Sequence, residues 1–174
     1  MTETYRYRPR HICQAFRIEA PTLRGWHNQA GLNVGDLGST GRRVYDLAAA
    51  AAVGFVARAT GLDGTRGYLT LFAAIDIANK AAPHLAALNN AYRAAFGVRM
   101  LPEMGRHRPL ILCDQLPSGA WEVERHDKLG SALMRITDVR PALLTLDPGS
   151  LLSRALLALP AQADVANTPD EEDA

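Results

Sequence analysis

Five side chains in one short stretch have the types and spacing needed to hold a polyanion and read base edges: Thr22, Arg24, Asn28, Arg42 and Arg43. Arginine presents a planar fork of donors that matches phosphate oxygens and the guanine edge, and asparagine pairs in the same two-pronged way with adenine. Arg24 and Asn28 are four apart, so on a helix they stand one turn from each other on a single face. Arg42 and Arg43 follow Gly41 directly, and two like charges so close repel unless an anion lies against them. Upstream, Arg6, Arg8 and Arg10 alternate with tyrosine and proline. They either extend the same basic patch or form a solvated tail.

These side chains need elements to aim them. Pro21 suits a first helical position, where its missing N–H costs nothing, and Gly31 suits a stop. The spacing therefore predicts a helix over 21–30. On its wheel Leu23, Trp26 and Ala30 face a core, Arg24, Gly25 and Asn28 lie opposite, and Thr22 sits at the margin. His27 flanks the core side, which suits packing better than base reading. Ile12, Ala15 and Phe16 mark a short first helix over 10–17. Segment 31–45, with its four glycines, predicts a loop with a hairpin around 38–45 that delivers Arg42 and Arg43. Asp46 then opens an alanine-rich helix to about Thr60, and its shortage of polar residues predicts burial on more than one side.

Beyond this the reading is coarser. Gly61–Gly67 is a turn or hinge and the best domain boundary. Helices are expected over 68–80 and 83–96, separated by Pro83, which argues against one long helix there. An irregular connection follows over 101–109. Strand-like runs 110–116 and 120–125 flank a Pro-Ser-Gly turn, with further strands expected over 132–139 and 142–146. A helix closes the fold over 150–159. The organisation expected is residues 1–62, residues 63–160, and a disordered acidic tail over 161–174.

Net charge is +1, but its distribution is uneven. Residues 1–45 carry seven arginines against Glu3, Glu19 and Asp36, a net +4, while residues 164–174 carry five acids and no base, a net −5. The tail either solubilises the chain or lies on the basic head and competes with a ligand there. Of nineteen basic residues only Lys80 and Lys128 are lysines, which reflects either anion recognition or a GC-rich coding sequence. Cys13 and Cys113 stand alone, with no CxxC or paired Cys/His spacing, so no zinc module is expected. The five histidines form no HExxH or HxH pair, and there is no phosphate-binding glycine loop. No catalytic residue, metal or cofactor is expected, and the chain is not read as an enzyme. The start lacks an apolar signal core, and the longest apolar run, residues 47–57, is too short to span a bilayer. A soluble cytoplasmic, nucleoid-associated protein with no membrane partner is the expectation.

Residues about 10–61 resemble the DNA-binding domain of the MerR-type regulators. The resemblance lies in Thr22-Leu23-Arg24 followed by Trp26, then Gly31-Leu32, then Gly41-Arg42-Arg43-Val44-Tyr45 and a helix. It implies a winged helix-turn-helix, with DNA contacts from Thr22, Arg24, Arg42 and Arg43, and with Tyr45 packing the wing onto the domain. Gly25 stands where the family usually has an aromatic that touches the DNA backbone. The family's pairing through one long helix is not expected to carry over, because of Pro83 and the 61–67 segment. The fold class expected is α+β, a winged helix-turn-helix followed by a helical pair and a small antiparallel sheet. The function expected is a sequence-specific transcription regulator, bacterial or phage-derived, that binds double-stranded DNA as a homodimer, with RNA polymerase or a phage protein as a further partner. The alternatives are a phage-type packaging or recombination protein, like the small terminases and excisionases, and a protein-interaction module with a degenerate winged domain.

Overall fold

The computed structural model describes residues 6–38, 41–96, 110–127 and 143–160. The expected strand over 132–139, the connection over 101–109 and the acidic tail lie outside these residues. Among the described residues the fold is mixed α+β, with five helices and small antiparallel sheets.

Helices α1 (Pro9–Phe16) and α2 (Ala20–Asn28) are joined by a tight turn. Arg17 caps α1 in the left-handed conformation at φ 55°, a geometry usually given to glycine. Ile12, Ile18, Leu23 and Trp26 turn inward. After α2, Gly31 takes φ 79° and the chain runs into a hairpin of β1 (Asp36–Leu37) and β2 (Arg43–Val44), in which Asp36 pairs with Val44 and Leu37 with Arg43. The amino-terminal arm joins the hairpin root, where Tyr7 and Tyr45 exchange backbone hydrogen bonds of 2.7 and 2.9 Å.

Helix α3 (Leu47–Thr60) is the centre of the molecule. Asp46 caps it by accepting from the Ala49 N–H at 2.7 Å, and Gly61 ends it at φ 81°. Its alanines are buried nearly all round, which lets neighbouring helices approach closely. The turn after it is tightly pinned. The Tyr68 and Leu69 N–H groups donate back to the Ala59 carbonyl, and a Cβ on Gly67 would stand 2.7 Å from the Thr60 carbonyl.

The helical pair expected over 68–80 and 83–96 is instead one helix, α4 (Leu71–Phe96), with Pro83 inside it. Ala74, Ala78, Ala81, Leu85 and Leu88 are buried at spacings of four and three, a stripe that passes through Pro83 without a break. Burying that stripe outweighs the roughly 3 kcal/mol a mid-helix proline costs. Pro83 itself faces solvent, so water can reach the carbonyl it leaves without a helical partner.

A second sheet has the order β4 (Trp121–His126), β3 (Leu110–Gln115), β5 (Leu143–Leu146), all antiparallel. Strand β4 lies at its edge, and α4 closes that edge at one point. Asp76 accepts from the Trp121 N–H at 3.1 Å, while Lys80 donates to the Trp121 carbonyl and pairs with Asp76 at 2.9 Å. An exposed edge would otherwise invite another strand. Helix α5 (Pro148–Ala158), capped by Asp147, packs on α3. Buried side chains from Tyr7 to Leu159 form one connected apolar cluster. No helix among the described residues is long and apolar enough to cross a membrane.

Candidate functional site

The site is built around the join between α2 and the hairpin. Leu23 and Trp26 anchor α2 in the core, with Trp26 only 3% exposed. This fixes the helix rotation and leaves Arg24 and Asn28 in solvent, with Thr22 half-buried beside them. Neither the Arg24 nor the Asn28 side chain has a hydrogen bond or ion pair among the described residues. Gly25 lies on the same open face, where an added Cβ would meet nothing closer than the Gln29 side chain at 4.0 Å. There is therefore room for a side chain at this position.

His27 ties this helix to the hairpin. Its Nδ1 lies 2.7 Å from the Leu32 carbonyl and its Nε2 lies 2.8 Å from the Tyr45 hydroxyl. A carbonyl only accepts, so Nδ1 carries the proton and donates to it; Nε2 then accepts from the Tyr45 O–H. Tyr45 is 1% exposed, and burial pushes its phenol well above the ordinary tyrosine range. Burial also holds the His27 imidazole below the ordinary histidine value of 6.5; the Leu32 carbonyl opposes this and Arg43 adds to it. The ring is a neutral strut between helix and hairpin, a role that its place on the core side of the helix wheel only partly suggests.

This strut implies a pH dependence. The unfolded chain takes up a proton at His27 near pH 6.5, before the folded chain does. The stability this contributes is complete above that value and is lost as pH falls from 6.5 toward the lower folded value. Thermal melts between pH 8 and 5 should show wild type losing more stability than His27→Gln over that window. Superimposable pH profiles would remove the strut's role.

The two wing arginines are separated. Arg42 is exposed near the hairpin tip; its carbonyl accepts from the Gly38 N–H at 2.7 Å, and its guanidinium has no partner among the described residues. Arg43 is half-buried, and its Nη1 donates to the Val34 and Gly35 carbonyls, both at 3.0 Å. Arg43 opens β2 with its guanidinium on these carbonyls, whereas Arg42 lies before the strand and faces solvent. This corrects the expectation of a paired projection: Arg43 braces the loop behind the hairpin.

The arm is divided as well. Arg6 is exposed. The Arg8 N–H donates to His11 Nδ1 at 3.2 Å as α1 begins, and the Arg10 Nε lies 3.4 Å from His11 Nε2. Arg8 and Arg10 are half-buried and belong to the start of α1 more than to a free basic tail.

Elsewhere, Cys113 on β3 is fully buried, and burial pushes its thiol up to about 12, so no thiolate nucleophile exists there at neutral pH. Among the described residues no three His, Cys, Asp or Glu side chains gather into a possible metal site; His107 lies outside them. No model of a known protein family matches the chain, and no curated protein matches it.

Proposed function

We propose that residues 6–61 form a winged helix-turn-helix and that the protein is a sequence-specific DNA-binding transcription regulator. In this reading α2 is the recognition helix and the β1–β2 hairpin is the wing. The observation that carries it is the His27–Tyr45 strut, which fastens a helix with free Arg24 and Asn28 to a hairpin with free Arg42 near its tip. A rigid pair of this kind can place base-reading donors in the major groove while a second cation holds the backbone. Arg24 and Asn28 are assigned to base edges, Thr22 to the groove margin, and Arg42 with Arg6 to phosphates. Trp26, Tyr45 and Arg43 hold the frame. Binding as a homodimer would double the contacts and match half-sites about one turn apart.

Selection of genomic fragments by the full chain, followed by sequencing, gives the sites. Promoter sites support a regulator, and a packaging or integration locus points to the phage-type alternative. On a selected fragment Arg24→Ala should cost about 1–3 kcal/mol and relax sequence preference. Arg42→Ala should weaken all fragments alike and reduce the salt slope by about 1. DNA affinity unmoved by both changes would sink the reading.

A further inference from the structure

We infer that Asn79, far from α2 in sequence, is a positioning residue for DNA binding, and that α4 sets the geometry of α2 and the hairpin through it. This rests on the DNA-binding reading above.

The inference starts from the extended segment that links α2 to the hairpin, residues 31–34. Its burial alternates: Leu32 and Val34 point inward, Gly31 and Asn33 outward. Its hydrogen bonds alternate too. Leu32 turns both backbone groups toward α2, donating its N–H to the Trp26 carbonyl at 2.9 Å and accepting at its carbonyl from His27. The groups on either side turn toward α4. Asn79 Nδ2 donates to the Gly31 carbonyl at 2.9 Å, and Asn79 Oδ1 accepts from the Asn33 N–H at 2.7 Å. One residue further on, Arg43 holds the Val34 carbonyl. A single short segment therefore joins α2, α4 and the hairpin.

The chemistry of the latch is specific. The segment offers one acceptor and one donor, and a primary amide supplies the complementary pair from one planar group. A carboxylate or a hydroxyl in its ordinary state cannot answer both points at this spacing. The contact spans 46 and 48 residues of sequence, so it reports the packing of α4 and not a local turn. Pro83 lies one turn beyond Asn79. Its missing N–H leaves the Asn79 carbonyl without the helical bond, so α4 yields most easily at the residue that grips the loop. A shift of the second half of α4 acts first on Asn79, and through it on both parts of the DNA-binding face.

The test uses the full chain and two variants, Asn79→Ala and Asn79→Asp, with folding checked by circular dichroism. Amide hydrogen exchange without DNA reads the latch. Affinity for a selected genomic fragment and for a random fragment of equal length reads positioning. Asn79→Ala should speed exchange of the Asn33 amide about tenfold and leave Ala57, inside α3, unchanged. It should weaken the selected fragment about tenfold, and the random fragment by less than about twofold. Asn79→Asp keeps the acceptor and should retain the protection of Asn33; it serves as the folded variant if the alanine form does not fold, and it too should lose preference for the selected fragment because the Gly31 contact is gone. Unchanged Asn33 exchange in Asn79→Ala would overturn the latch. Faster exchange with an unchanged ratio of selected to random affinity would overturn the positioning role. If wild type binds neither fragment, the DNA reading fails and the inference with it, while the exchange experiment still reads the latch on its own.

Discussion

Replacing Gly35 by alanine is expected to cost about 3–5 kcal/mol and to detach the hairpin from the rest of the fold. Gly35 sits at φ 77°, where a side chain is strained whatever the space around it. The space is also filled: a Cβ there would lie 2.7 Å from the Val44 carbonyl oxygen and 3.0 Å from the Tyr45 ring. Neither neighbour can yield cheaply. Val44 is paired with Asp36 in the hairpin ladder, and Tyr45 is buried with its hydroxyl held by His27. Opening this root also disturbs the Gly35 carbonyl that Arg43 grips. The melting temperature should fall by on the order of 10 °C. Gly41→Ala supplies the control, because Gly41 has φ 74° but nothing within 4 Å of an added Cβ. It should cost only about 1 kcal/mol, the conformational part alone. Equal losses at the two positions would show that the close approach at the hairpin root contributes nothing.

Pro83→Ala is expected to stabilise the protein by about 2 kcal/mol. Proline inside a helix is about 3 kcal/mol worse than alanine, and part of the gain is offset because the unfolded chain becomes more flexible, by about 0.4–1 kcal/mol. Pro83 faces solvent, so its removal leaves no cavity, and alanine restores the hydrogen bond to the Asn79 carbonyl. Urea titration should show a higher midpoint with an unchanged slope. A lower midpoint would mean that α4 needs Pro83 to fit against α3. Pro83→Ala also bears on α4 as a lever. Stiffening the helix beside Asn79 should reduce the response of residues 31–33 to changes farther along α4.

Much of the chain was legible because its signals act on near neighbours. Pro21 and Gly31 bracketed α2 to within a few residues, and Asp46 and Gly61 bracketed α3 through a cap and a left-handed stop. The Pro-Ser-Gly turn placed β3 and β4, and the helix expected over 150–159 is found two residues earlier, starting at Pro148 after the Asp147 cap. The core side of α2 followed from helical periodicity, and Trp26 lies where that periodicity puts it. The same local reasoning failed at Pro83. A local breaker was set against an apolar stripe that only pays attention to what lies across the helix, and the stripe prevailed by packing on α3.

The sequence by itself determined the order of elements, their caps and stops, and which side chains along α2 face outward, because each depends on dihedral preferences and periodicity within one segment. Only the tertiary structure decided which polar groups meet. His27 against Tyr45, Asn79 against Gly31 and Asn33, and the Asp76–Lys80 pair against Trp121 join segments distant in the chain. It likewise separated Arg43 from Arg42, since backbone carbonyls brought within reach by the fold hold one guanidinium while solvent surrounds the other. A histidine or an asparagine has donors and acceptors but no intrinsic partner, and the partner is fixed only when the buried apolar surfaces have set the distance between the elements that carry them.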